Sequence, residues 1–153
     1  MPNHLKTLDL IRAIAPLTKN QEKYIRKLQS PKPITIVTGP PGTGKTLLAT
    51  KEAVYSFKER IHKKLILCRP TVPTDEDIGY LPGSLEEKMT PWMRPIFDAL
   101  RYCYSESQIH AFIDEKDIEL APLSYMRGRT FHNSFLIADE MQNSTTAQMK
   151  MLL

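Results

Sequence analysis

Gly39-Pro40-Pro41-Gly42-Thr43-Gly44-Lys45-Thr46 fits the phosphate-loop (Walker A) pattern G-x-x-x-x-G-K-[ST] at every fixed position. Ile34-Thr35-Ile36-Val37-Thr38 precedes it, a β-branched run that predicts a buried strand. Leu47-Leu48-Ala49-Thr50-Lys51-Glu52-Ala53-Val54 follows it and predicts a helix. Strand, glycine loop and helix form the setting in which such a loop cradles phosphate. Gly42 and Gly44 allow a tight turn with no Cβ in a ligand's way. The amides of Gly42, Thr43, Gly44 and Lys45 then point into one concavity, backed by the positive end of the helix dipole. In that geometry Lys45 reaches the β- and γ-phosphates, and the Thr46 hydroxyl takes a place on Mg²⁺. A glycine-rich turn without a ligand needs neither the lysine nor the threonine.

Phe135-Leu136-Ile137-Ala138-Asp139-Glu140 is the second anchor, of the kind called Walker B. An apolar run ending in two acids predicts a central strand that delivers carboxylates at its C-terminal edge. In an open parallel sheet that edge is where ligands sit. Alone the pattern is common; far downstream of a phosphate loop it gains meaning. Asp139 is placed to hold Mg²⁺ across from Thr46, and Glu140 to polarise an attacking water.

The length of 153 residues suits one domain with its own core. No apolar run approaches the roughly 20 residues of a membrane helix, and Met1-Pro2-Asn3-His4-Leu5-Lys6 opens no signal peptide. The expectation is a cytoplasmic protein without a membrane partner. Cys68 and Cys103 have no metal-ligand spacing, and a reducing compartment argues against a disulfide. Charge is uneven. Through Thr74 there are fourteen Lys/Arg against four Asp/Glu; from Asp75 onward there are seven against thirteen. The basic front half suits either phosphates or plain solvent.

Thr18 with Gln21 predicts a capping box for a helix over Lys19–Leu28. An amide there also suits adenine, so Gln21 has two readings. Ser30-Pro31-Lys32-Pro33 stops that helix, and Leu65-Ile66-Leu67-Cys68 predicts a second strand, closing a βαβ unit with Ile34–Thr38. Ser84 with Glu87 predicts another capped helix, with Trp92, Ile96, Phe97 and Leu100 on its apolar face beyond Pro91 and Pro95. Residues 105–117 are polar, anchored by Ile109, Phe112 and Ile113. Ile118-Glu119-Leu120 suggests a short strand. Arg127-Gly128-Arg129 suits phosphate, a carboxylate or surface ion pairs. Ser144 is expected to cap a last helix from Thr145 to Leu153.

These stretches together resemble the PhoH-like family, which itself looks like the first motor domain of superfamily 1 helicases. The resemblance runs from about Thr18 to the end. It rests on the phosphate loop, Arg69-Pro70, Gly79-Tyr80-Leu81-Pro82-Gly83, Lys88-Met89-Thr90-Pro91-Trp92-Met93-Arg94-Pro95, Ala121-Pro122-Leu123-Ser124-Tyr125-Met126-Arg127-Gly128-Arg129-Thr130 and Asp139-Glu140-Met141-Gln142-Asn143. It implies an α/β fold of the phosphate-loop NTPase type, a mainly parallel RecA-like sheet flanked by helices. It implies an N-terminal extension over residues 1–17 and the NTPase domain over 18–153. It also implies Mg²⁺-dependent ATP hydrolysis, coupled to RNA or single-stranded nucleic acid. By that likeness Gln142 senses the γ-phosphate and Gln21 reads adenine. Arg69 touches nucleic acid, and Arg127 and Arg129 fall in a family motif and are candidates for the same contact. The family continues to a further strand that completes the nucleotide pocket, whereas this sequence stops at Leu153 inside a helix. The expectation is a truncated domain with an exposed sheet edge, for which a nucleotide-binding module with little turnover is the alternative. Unwinding by one motor domain would require a homo-oligomer. A small-molecule kinase and a chaperone-type loader fit the phosphate loop equally, but not Gln142 or the Ala121–Thr130 stretch respectively.

Overall fold

Lys64–Arg69 (β1) is the middle strand of a three-stranded parallel sheet, with Ile118–Pro122 (β2) on one side and Ser134–Ala138 (β3) on the other. The computed structural model describes residues 9, 11, 13–70 and 93–153. Within β1 the side chains alternate between two cores. Leu65 and Leu67 enter one, and Ile66 and Cys68 the other. Burial on both faces is why this strand is a continuous apolar run rather than an alternating one.

The larger core lies under three helices: Lys45–Lys58 (α2), Arg94–Arg101 (α3) and Glu106–Asp114 (α4). Ala53 and Val54 of α2, Ile96 and Leu100 of α3, and Ile109 of α4 close over Leu65, Leu67, Ile118 and Ile137. Ile11 is buried in the same cluster, so the chain ahead of Thr18 contributes to the core. The smaller core, on the opposite face, gathers Leu123 and Met126 of a 3-10 turn with Ile66, Cys68 and Ala121. Met151 and Leu152 of Thr146–Leu152 (α5) pack against it. Cys68 and Cys103 are free thiols in different cores.

Lys19–Leu28 (α1) begins as the sequence predicts: the Thr18 hydroxyl accepts from the Gln21 amide and the Gln21 side chain returns to the Thr18 amide. It joins α2 through a buried carboxylate, since Gln29 Nε2 donates to Glu52 Oε2 at 2.9 Å and Lys51 lies 3.8 Å away. In α3, Pro95 occupies the first turn, where its missing N–H costs no helix bond.

Four expectations need correction. Residues 34–38 form no strand and pair with none among the described residues: Ile34 is 55% exposed, Ile36 77% and Val37 39%. Strand propensity is local, but a strand exists only as one member of a ladder. The βαβ unit therefore does not close through α2; the parallel pairings run from β1 to β2 and from β1 to β3. Residues 105–117, expected as an anchored polar stretch, contain a helix over Glu106–Asp114. Ser105 and Gln108 make a capping box there, and Phe112 meets Phe57 and Tyr104 edge-on. The last helix is capped by Thr145, not Ser144, whose hydroxyl instead donates to the Met141 carbonyl. Residues 75–83 and 84–92 lie outside the described residues.

Candidate functional site

The phosphate loop holds its shape through two glycines with positive φ. Gly42 sits at +74° and Gly44 at +79°, a region that costs any residue with a Cβ. Gly44 is also the N-cap of α2, so the turn and the helix start coincide. The Lys45 ammonium folds onto its own loop, donating to the carbonyls of Gly39 (2.9 Å) and Pro40 (2.7 Å). Thr43 Oγ1 also donates to Pro40 O. Gly39, Pro40, Pro41, Gly42 and Thr43 are all exposed, leaving the loop open to a ligand.

The sheet brings the second anchor to this loop. Asp139 N–H donates to Cys68 O at 2.9 Å, extending the β1–β3 register one residue past Ala138. That bond sets the Asp139 carboxylate at the C-terminal edge, where Oδ1 accepts from the Thr46 hydroxyl at 3.0 Å. Two hard oxygen donors thus meet on the floor of the site. Among the described residues no cluster of three or more His, Cys, Asp or Glu side chains could hold a metal. Mg²⁺ keeps most of its shell as water and substrate phosphate, so one hydroxyl and one carboxylate suit it.

Glu140 follows in the left-handed region, at φ 54° and ψ 32°. Both of its carboxylate oxygens are engaged. Arg69 Nη2 lies 3.8 Å from Oε1, and Gln142 Nε2 donates to Oε2. Arg69 is the last residue of β1, so the strand register itself puts its guanidinium beside the acids that follow β3.

Gln21 is drawn into the loop as well as into its cap. Its Oε1 accepts from the amides of Leu17 (2.6 Å) and Thr18 (3.2 Å), while Nε2 donates to Thr43 O at 3.1 Å. Tyr24, one turn further on the same face of α1, packs against the larger core. Burial, with a lesser contribution from the Asp139 carboxylate, pushes its phenol up to about 12.

The two arginines around Gly128 part company. Met126–Arg129 is a type II turn, with Gly128 at φ +72° and Arg129 N–H donating to Met126 O. Both terminal nitrogens of Arg129 go to the Glu119 carboxylate, and the guanidinium lies over the Phe131 ring. That pairing holds Glu119 below the usual carboxylate range. Arg127 points elsewhere, into a groove of about 540 Å³ that it lines with Gln148, Lys150 and Met151. It has no ion pair among the described residues.

Parallel sheet, glycine loop at a helix start and facing carboxylates define an α/β protein of the phosphate-loop class. The PhoH-like protein family model matches residues 13–153. A PhoH-like protein of Mycobacterium tuberculosis is 41% identical over 156 aligned residues, covering 99% of this chain and 44% of that protein. One from Bacillus subtilis is 42% identical, covering 93% and 44%, and the Escherichia coli protein PhoH is 39% identical, covering 90% and 40%. The chain belongs to the PhoH-like family. It spans less than half the length of these curated relatives. Among the described residues no helix is long and apolar enough to cross a membrane.

Proposed function

We propose that this chain binds ATP with Mg²⁺ and hydrolyses it, and that single-stranded RNA or DNA governs the rate. The observation that carries the reading is the Thr46–Asp139 hydrogen bond, because it closes the phosphate loop and the acidic strand end around one small volume. The roles follow from chemistry. The loop amides donate to phosphate oxygens, and the Lys45 ammonium exchanges its present carbonyl partners for them and neutralises charge there. Thr46 and Asp139 hold Mg²⁺, which when bound draws charge from the phosphates. Glu140 orients a water for attack on the γ-phosphorus; the bridging bond to the β-phosphate breaks, leaving ADP and phosphate. Gln142, hydrogen-bonded to Glu140, reports the γ-phosphate to that base in this reading.

A second reading, nucleotide binding with little turnover, is favoured by the engagement of both Glu140 oxygens. Phosphate release measured beside nucleotide affinity, with and without single-stranded RNA and DNA, separates the two. The expected result is Mg²⁺-dependent release, raised by one of the nucleic acids and lost in Lys45→Ala. Tight ATP binding with no release under any of these conditions selects the second reading. No binding at all removes both.

A further inference from the structure

We propose that Arg69 is a positioning residue that holds Glu140 in a resting orientation and lets go when a phosphodiester takes its guanidinium. The proposal rests on the functional reading above and deepens it by naming where nucleic acid and hydrolysis meet. Three observations carry it. First, the contact is built by the sheet. Cys68 and Ala138 are register partners and Asp139 N–H bonds Cys68 O, so Arg69 leaves β1 opposite Asp139, and beyond the left-handed Glu140 backbone the Glu140 carboxylate lies 3.8 Å from its guanidinium. Second, the Glu140 backbone is in the left-handed region, which a residue with a Cβ keeps only when its surroundings hold it there. The Asn143 N–H on its carbonyl, Gln142 on one carboxylate oxygen and Arg69 beside the other supply that hold. Third, the Arg69 side chain is only 18% exposed and that of Glu140 39%, so the pair is partly shielded from solvent screening.

A carboxylate and a phosphodiester offer the guanidinium the same thing, a pair of anionic oxygens. They therefore compete for Arg69. The chain through Thr74 carries fourteen Lys/Arg against four Asp/Glu. A nucleic-acid backbone is the polyanion such a surplus favours. When it draws Arg69 away, Glu140 loses one of its two side-chain partners among the described residues and is able to turn toward a water at the γ-phosphate.

Competition makes the coupling reciprocal, which gives a test that needs no turnover. Affinity of the nucleotide-free chain for a fluorescein-labelled single-stranded oligouridylate and its DNA counterpart is read by anisotropy. Glu140→Gln, which weakens the hold on Arg69, is expected to tighten binding by about five-fold or more. Arg69→Ala is expected to weaken it, with Arg69→Lys recovering part of the loss. In phosphate release, Arg69→Ala is expected to raise the rate without nucleic acid and to abolish stimulation. Thermal unfolding identifies any variant that fails to fold, in which case Arg69→Lys alone carries the comparison, with the same signs. Unchanged oligonucleotide affinity in Glu140→Gln overturns the proposal and leaves ATP hydrolysis standing. So does stimulation that survives in Arg69→Ala. An oligonucleotide bound by none of the variants overturns both this proposal and the nucleic-acid part of the functional reading. Hydrolysis itself falls only if Lys45→Ala releases phosphate as fast as the unaltered chain.

Discussion

The hydroxyl of Thr46 lies 3.0 Å from Asp139 Oδ1 although 93 residues separate them in the chain. Nothing local produces that contact. It requires α2 to start at Gly44, β3 to stop at Ala138, and the β1–β3 register to hold one residue beyond the strand. Each condition is set by different chemistry: a glycine with positive φ, an apolar strand, and a backbone bond to Cys68. Their agreement at one point is what makes the site a candidate for nucleotide chemistry.

Glu140→Gln separates binding from turnover. The amide keeps the size of the side chain and loses the negative charge proposed to polarise water. ATP affinity is expected to stay within a few-fold, while phosphate release falls by about a hundred-fold or more, the usual weight of a positioned base. Calorimetric titration beside a phosphate-release assay checks it, and hydrolysis retained in Glu140→Gln would strip Glu140 of its role.

Two helices end alike and both ends are suboptimal. After α2, Arg60 is at φ 56°, with its N–H on Phe57 O and the Ile61 N–H on Ser56 O. After α4, Lys116 is at φ 60°, with its N–H on Ile113 O and the Asp117 N–H on Phe112 O. Both are Schellman ends in which glycine is the favoured residue. Arg60→Gly and Lys116→Gly are each expected to raise stability by up to about 1 kcal/mol, or roughly 2–4 °C in Tm. The two sites are on different helices, so the gains should add. Denaturant midpoints of the single and double variants decide this, and loss of stability in either would mean the arginine or lysine side chain contributes more than its backbone costs.

Much of the site was legible because its chemistry demands fixed residues at fixed spacing. The loop, Thr46 and the Asp139–Glu140 strand end are of that kind. So is the run Leu65–Cys68, since a strand buried on both faces leaves no room for polar residues. What escaped depends on partners. Ile34–Thr38 has strand composition, but composition does not provide a neighbouring ladder. The helix over Glu106–Asp114 was signalled by Ser105 and Gln108 and by the spacing of Ile109, Phe112 and Ile113, yet its polar residues masked it. Arg127 and Arg129 look equivalent in sequence, whereas the type II turn at Gly128 sends one to Glu119 and the other to the α5 groove. The pairing of Arg69 with Glu140 is a product of register, which no stretch of sequence states by itself.

Alkaline pH should destabilise the fold more than its composition suggests. Burial pushes the Cys68 thiol up to about 12 and the Cys103 thiol up to about 11, against an ordinary value of 9.0. The neighbouring cations, Arg129 for Cys68 and Lys51 and Lys58 for Cys103, offset burial only in part. Below the ordinary value both folded and unfolded chains keep these protons, and the thiols contribute no pH dependence. Above it the unfolded chain releases them first, so stability falls as pH rises toward the folded values. Urea midpoints should therefore drop between about pH 9 and pH 11, and the drop should be shallower in Cys68→Ala and in Cys103→Ala. Equal slopes in all three proteins would remove the thiols from the account.

Ile36 and Leu67 put the exposed segment to the test. Both are large aliphatic residues in runs of strand composition, and from sequence alone both belong in a core. Leu67 is fully buried between β2 and β3, while Ile36 is 77% exposed. Truncating a buried leucine removes transfer free energy and leaves a cavity, so Leu67→Ala should cost about 2–5 kcal/mol. Ile36→Thr exchanges an exposed ethyl group for a hydroxyl, keeps the β-branch, and should shift stability by less than about 0.5 kcal/mol. Chemical unfolding of the two variants at one pH gives the ratio directly. A cost for Ile36→Thr approaching that of Leu67→Ala would mean that residues 34–38 are paired and covered in solution. The phosphate loop would then be anchored by a ladder on its N-terminal side as well as by α2. In that case the rigidity of the loop, and not only its sequence, would contribute to holding the Lys45 amide and ammonium in place for a triphosphate.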